Sequence, residues 1–363
     1  MKKNYPYAVF LFLSTFTRGL VEIFSLVLLY KKGFSQNEIF FFLFLLYTIG
    51  ILVNYLSLKL PYKLILVISS ILYGTSFLYL STMKTDLSSL IILALLLSCS
   101  TYSYHSIRHL LSLITVKKSH IPTTHIITTM YVGIILSSIV GIYFINKLPF
   151  LITSLIIFAL SFLSLIPIFK LKQPEVLEKP QDCLKKVKLS KPKIIFNVLE
   201  QFKVLFLEIQ PLFLYLYVEK SISYVGIFNV ILNVASLIVV YFLSKKIKTS
   251  HFKYICFLLG ITFILKLNIK NNIFLFGIAF FEGIFVKIYE TFSLNNLYNL
   301  EDNQIIPYLI TEEFIFFLTK SIVLLVVCLC HLNIYVLMYT AIIGIMISGF
   351  FLPIQKNSTQ VQK

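Results

Sequence analysis

Residues Asn37–Ser57 read NEIFFFLFLLYTIGILVNYLS, an apolar block of 21 positions. A helix needs about 20 such residues to cross about 30 Å of hydrocarbon. In lipid every backbone polar group must be bonded internally, so such a block is a helix or a barrel strand. Barrel strands alternate polar and apolar residues. The run Phe40–Tyr47 does not alternate, and neither do Leu90–Leu97 or Ile322–Cys330 farther along the chain. Helices are therefore expected wherever the pattern recurs.

It recurs from end to end. Of 363 residues 58% are apolar and 13% charged, with 35 Phe and no Trp. The mean hydropathy is +0.90. A soluble domain carries about 25% charged residues to keep its surface wet. The blocks predict twelve spans, at approximately 7–30, 37–57, 63–82, 88–113, 125–146, 149–170, 194–218, 223–244, 252–268, 272–294, 306–330 and 332–353. The fold class expected is an all-α membrane protein, twelve transmembrane helices in two six-helix bundles. Residues 1–170 form the first bundle and 194–353 the second, with a tail at 354–363. Between the bundles, 171–193 holds Pro174, Pro180 and Pro192 and most of a lysine cluster, and reads as a solvated basic linker.

The net charge of +17 follows the block ends, which argues for a bilayer and against nucleic acid. With the N-terminus inside, 20 basic residues fall in inner segments and six in outer loops. That bias puts linker and both termini in the cytoplasm, in the cytoplasmic (inner) membrane of a bacterium by default. The first block follows Met1-Lys2-Lys3, contains Arg18 and Glu22 and lacks a small-residue cleavage site, so it is expected to be retained. Five scattered Cys imply neither a disulfide framework nor a zinc site.

Two segments about half the chain apart match weakly. Lys32-Gly-Phe-Ser35 leads into a span ending at Lys59, and Lys220-Ser-Ile-Ser223 into one ending at Lys245-Lys246. Six-plus-six parallel halves are a recurrent transporter plan. With this topology, the chain resembles the major facilitator superfamily. That family carries Gly-x-x-x-Asp-x-x-Gly-Arg/Lys after its second span. Here Gly50 matches, Asn54 stands for Asp, Ser57 for Gly, and Lys59 follows one place late. The stretch from Arg108 through Lys117-Lys118 to Gly133 and Gly141 is also similar to the family. The fifth span has Val140-Gly141-Ile142 and not the Gly-Pro of drug–proton antiporters. The resemblance implies that spans one, four, seven and ten line a central cavity.

An ionisable side chain at membrane depth is costly and marks a functional candidate. Arg18 and Glu22 share a face of the first span, either neutralising each other or lining a wet cavity. In the fourth span Tyr104, His105, Arg108 and His109 form a polar face. Two His four apart suit zinc, but no further ligand is apparent and Arg108 would repel a cation, so no metal and no cofactor are expected. Arg108 suits an anionic group gripped by two parallel bonds. Gln201 and Glu208 share a face of the seventh span with Tyr215, and Pro211 predicts a kink there. Lys203 is expected to snorkel, and Glu200 and Glu312 to lie near an interface. Glu282, Lys287 and Glu290 belong to the tenth span, and Glu313 and Lys320 to the eleventh.

This distribution suits a central aqueous path. The function expected is a secondary active transporter that moves a small organic solute, anionic or zwitterionic, by alternating access with a proton as coupling ion. No phosphate-binding loop is present to use ATP. Glu22, Glu290 and His105 are the candidate proton carriers. Rival readings are a lipid flippase on the same fold, a non-transporting receptor or assembly factor, and a membrane-embedded lipid-modifying enzyme.

Overall fold

The computed structural model describes residues 5–119, 123–170, 189–242, 251–269, 271–298 and 302–351. The first half comprises α1 (Tyr5–Glu22), α2 (Ser25–Lys31), α3 (Gln36–Ser57), α4 (Tyr62–Thr82), α5 (Leu87–Ser119), α6 (Thr123–Lys147), α7 (Phe150–Leu163) and α8 (Ile166–Phe169). The second comprises α9 (Lys191–Phe213), α10 (Ile222–Phe242), α11 (Phe252–Asn268), α12 (Asn272–Tyr298), α13 (Asp302–Leu329) and α14 (Ile334–Ser348). Most of the basic linker and the C-terminal tail lie outside the described residues.

Nine of the expected spans are, among the described residues, helical and apolar over a length that crosses a bilayer. The other three expected positions hold α11, with 17 residues, α14, with 15, and α13, which carries Glu312, Glu313 and Lys320. Twelve crossings therefore remain an expectation at those three helices. Two helices outrun their expected ends: α5 continues to Ser119 and α12 to Tyr298.

Three expected spans are interrupted, each for a local reason. The first breaks after Glu22, where Phe24 N donates to Val21 O at 2.8 Å and Ser25 Oγ donates to the Glu22 carbonyl at 2.8 Å. The sixth divides into α7 and α8 because Pro167 has no N–H to give the Leu163 carbonyl. In the seventh, Pro211 sits inside α9, which then loosens into a π-helical turn at Leu214–Val218, closed by Glu219 N to Leu214 O at 2.9 Å. A π turn absorbs the bond that a proline removes.

Helix starts are fixed by short polar side chains. Ser35 and Glu38 form a reciprocal capping box on α3, with Ser35 N donating to Glu38 Oε2 at 2.7 Å. Asp86 accepts from Ser89 N at 2.7 Å and Ser88 Oγ at 2.8 Å ahead of α5, and these bonds hold its carboxyl below the usual range.

The packing repeats between halves. In the first, α1 packs on α6, α3 and α4 on α5, and α4 on α7. In the second, α9 packs on α13, α10 and α11 on α12, and α11 on α14. Shifting each partner by six spans converts one set into the other, which gives the weak match around Lys32 and Lys220 a structural counterpart. Two seams join the halves, α3 against α13 and α6 against α10. Around the outside, large apolar side chains such as Leu52, Ile139, Leu155, Phe257, Phe274 and Leu329 stand exposed. In water such a surface would be an aggregation hazard, and in lipid it is the solvated face.

With no hydrophobic drive between helices in lipid, close approach through small residues carries the packing. A Cβ at Gly283 of α12 would come within 2.1 Å of the Leu232 carbonyl oxygen of α10, and one at Gly141 of α6 within 2.3 Å of the Leu20 carbonyl oxygen of α1. Both obstacles are backbone and cannot yield cheaply. Gly277, by contrast, has nothing within 4 Å. Gly283→Ala is expected to lower the stability of the detergent-solubilised protein by about 1–3 kcal/mol, the usual cost of overpacking. Gly277→Ala is expected to be neutral or to stabilise by up to about 1 kcal/mol through helix propensity. Paired thermal melts check both.

Candidate functional site

The lysines at membrane depth all have a glutamate. Lys193 of α9 meets Glu312 of α13 at 3.2 Å, and Lys203 meets Glu200 at 3.7 Å. Lys266 of α11 meets Glu282 of α12 at 2.5 Å, and Lys287 meets Glu290 at 3.2 Å. Lys320 of α13 meets Glu208 of α9 at 3.1 Å. All ten residues belong to the second half. Burying one such charge alone costs several kcal/mol, so pairing is the condition for burying any of them.

The deepest pair is Lys266–Glu282, with neither side chain exposed. Lys266 also donates to Gln210 Oε1 at 2.7 Å and lies over the Phe206, Phe263 and Phe228 rings. This is a dry ionic knot among α9–α12, and it takes Glu282 away from any central path. The Lys320–Glu208 pair is different because it reaches the other half. Tyr47 of α3 donates its hydroxyl to Glu208 Oε2, and Lys320 Nζ sits 4.5 Å from the Tyr47 ring centroid. Beside it Thr48 bonds Ser321 at 3.2 Å, and Phe317 of α13 packs edge-on to Tyr102 of α5 at 4.4 Å. Nearer the linker end, Lys287 lies 5.0 Å from the ring of Tyr131 on α6.

The arginines behave otherwise. Arg18 is buried and points at α4 and α5: Nη2 donates to Ser69 Oγ at 2.7 Å and Ser100 O at 3.3 Å. Its guanidinium lies 4.0 Å from the Tyr104 ring centroid and 4.4 Å from that of Tyr73. Arg108 is half-buried. Its Nη2 donates to His105 Nδ1 at 3.1 Å and His109 Nε2 at 3.3 Å, while the two imidazoles stack at 4.9 Å. The histidine pair thus cradles Arg108; among the described residues no three His, Cys, Asp or Glu converge.

Two glutamates complete the set. Glu22, at the break between α1 and α2, is exposed, yet Arg18, Arg108 and Glu208 lie within its electrostatic reach. Glu313 of α13 is half-buried, with Glu312, Lys320 and Arg108 within its electrostatic reach. Among the described side chains, Glu22 and Glu313 are the two carboxylates that accept no hydrogen bond and join no ion pair. Arg108 is the charge common to both.

Other expected residues have local roles. Gln201 is buried and donates to the Asn197 carbonyl of its own helix at 3.4 Å. Gly50 lies against the Tyr102 ring, and Asn54 accepts from Ser106, so these two motif positions fasten α3 to α5. Lys59 donates to the Tyr55 hydroxyl at 2.6 Å at the exposed end of α3. One local expectation is corrected: Lys203 does not snorkel but is buried 4.4 Å from the Tyr289 ring centroid. Glu200 and Glu312, expected near an interface, are buried partners of lysines. Lys266, Tyr47 and Tyr131 were not singled out, since a lone lysine and two tyrosines in apolar blocks carry no local pattern.

The knot makes a stability prediction. Lys266→Met leaves an unpaired carboxylate in a dry site and is expected to destabilise by about 3–5 kcal/mol. The double change Lys266→Met with Glu282→Gln removes both charges and should recover most of that loss. A double-mutant cycle of unfolding in detergent reads the recovery.

No family model matches the sequence, and no curated protein matches it. Solved structures do match. The human organic anion transporter MFSD10 (TETRAN) aligns with a TM-score of 0.64 and 12% identity over 96% of this chain and 98% of that one. The nucleoside transporter NupG aligns with a TM-score of 0.66 and 13% identity over the same shares, 96% and 98%. Likeness at this identity speaks for the fold, and with the repeated helix packing it supports one conclusion: this is a multi-pass helical membrane protein with the fold of the major facilitator superfamily.

Proposed function

We propose that the chain is a secondary active transporter that carries a small organic solute through a bilayer by alternating access. One observation carries this reading. Charges that could have been paired off are left open where the two halves meet, on Arg108 and Glu313, with Glu22 beside them. An ionic group is retained at membrane depth without a partner only where it faces a wet cavity or a ligand. The likeness to an organic anion transporter and a nucleoside transporter supports a carrier and not an enzyme.

The chemistry suits such a cycle. Arg108 is held by His105 and His109. Glu22 is the preferred proton carrier, because it is exposed and unpaired, whereas Glu290 is tied to Lys287. The Tyr47–Glu208–Lys320 link spans the α3/α13 seam, so rocking of the halves must make and break it. At the end away from the linker, Gln36 donates to the Tyr217 hydroxyl at 3.0 Å and Asn146 to Ser223 at 2.9 Å, closing the cleft there. The lysine bias supports a cytoplasmic membrane with both termini inside.

Proteoliposomes under an imposed pH gradient test the proposal. Arg108→Ala should cut solute flux about tenfold or more, the equivalent of one lost charge-assisted bond. Glu22→Gln should abolish gradient-driven uptake and leave solute counterflow intact. Wild-type flux in both variants would remove these residues from the cycle.

A further inference from the structure

We infer that the first half holds a small inorganic anion, chloride, in a polar cavity between the first, third and sixth spans, bonded to Nη1 of Arg18. Every residue that lines this cavity belongs to the first half, so the ion is distinct from a solute bound between the halves.

Three helices supply the walls. Ser14, Thr17 and Arg18 come from one face of α1, and Ser70 and Tyr73 from α4. Ser161 and Ser164 come from the end of α7, where the sixth span breaks ahead of Pro167. All seven side chains are buried, and each carries a hydroxyl or the guanidinium. The space admits about one water-sized occupant. Apolar cavities of such a size stay dry, whereas polar ones are filled.

The bonding around Arg18 selects the occupant. The residue is 6% exposed. Its Nη2 is spent on Ser69 Oγ at 2.7 Å and Ser100 O at 3.3 Å, which fixes the guanidinium. Its Nη1 is buried with no hydrogen-bond partner among the described residues. A buried donor left unpaired is costly, and more so on a charged group. Glu22, one turn along α1, is exposed and makes no ion pair with Arg18. The Tyr73 and Tyr104 rings, at 4.4 and 4.0 Å, offer only their partial negative charge. Four lining hydroxyls already donate to carbonyls: Thr17 to Leu13, Tyr73 to Arg18, Ser161 to Ile157 and Ser164 to Ser161. Ser70 Oγ has no bond among the described residues and is free to donate.

A charged donor and a hydroxyl donor in so small a space select a monatomic anion. Carboxylate, phosphate and sulfate are too large. A cation is repelled by Arg18. Water fits and would satisfy Nη1, but it leaves the buried charge uncompensated. Chloride, little larger than water, meets the size, the donors and the charge together. Bound there it would join α1 to α4 and α7, and it would stabilise the fold by mass action.

Melting of the full-length protein in detergent tests the inference. Chloride replaces gluconate as the sodium salt at constant ionic strength. The expected result is a midpoint that rises and saturates with chloride, does the same with bromide, and does not respond to sulfate. Ser70→Ala removes one donor and should raise the half-saturating chloride concentration about tenfold. Arg18→Met should abolish the dependence, and where that variant does not fold, Ser70→Ala decides. Crystals grown in bromide should show an anomalous peak in hydrogen-bond contact with Arg18 Nη1. Identical melts in chloride and gluconate, or no bromide at Nη1, would overturn the inference and leave water as the occupant. A chloride dependence that Ser70→Ala does not move would overturn it too, by placing the ion elsewhere. Neither result bears on the carrier reading.

Discussion

A bilayer gives a charge nothing to bind, and the rest of this structure follows from how that constraint is met. In the second half it is met internally. Each buried lysine finds a glutamate, by a turn of its own helix for Lys203 and Lys287, or on a neighbouring helix for Lys193, Lys266 and Lys320. In the first half it is met by hydroxyls, a carbonyl, aromatic faces and imidazoles around two arginines. The guanidinium, delocalised and more weakly hydrated than an ammonium, tolerates such neutral company. The two halves share a packing plan and differ in their electrostatics.

That difference gives the midline its character. A second half with its lysines already neutralised meets the first through neutral polar contacts such as Thr48–Ser321, Gln36–Tyr217 and Asn146–Ser223, and through the reach of Glu208 to Tyr47. A first half with Arg108 only partly engaged offers a free edge in return. The seam of α3 and α13 is therefore stitched at Tyr47, Thr48, Glu208, Lys320 and Ser321. Rigid-body motion about a fixed central site is the general scheme of folds built from repeated halves.

Much of the fold was legible from block length alone, because hydrocarbon thickness sets a ruler that the sequence must obey. The span at 252–268 coincides with α11, and the kink at Pro211 appears as a π turn. The breaks after Glu22 and at Pro167 were not read, since they depend on local bonding within blocks that look continuous. The candidate site was legible only as a list of costly residues. Spacing shows that His105, Arg108 and His109 share a face, and the structure adds that they bond one another. It could not show that Arg18 turns from Glu22 toward Ser69, or that Glu282 is claimed by a lysine 16 residues earlier. Which charges cancel is a property of neighbouring helices, and one-dimensional periodicity does not contain it.

The Lys266–Glu282 knot has a consequence for biogenesis. Helix α11 is 17 residues long and carries a cation that lipid would reject, so alone it is a poor candidate for release from the insertion machinery. The helix that follows, α12, begins after three intervening residues along the chain and brings the compensating anion. The two segments are therefore suited to partition into the bilayer as one hairpin, already neutral, with Gln210 of the preceding α9 accepting a further bond from Lys266.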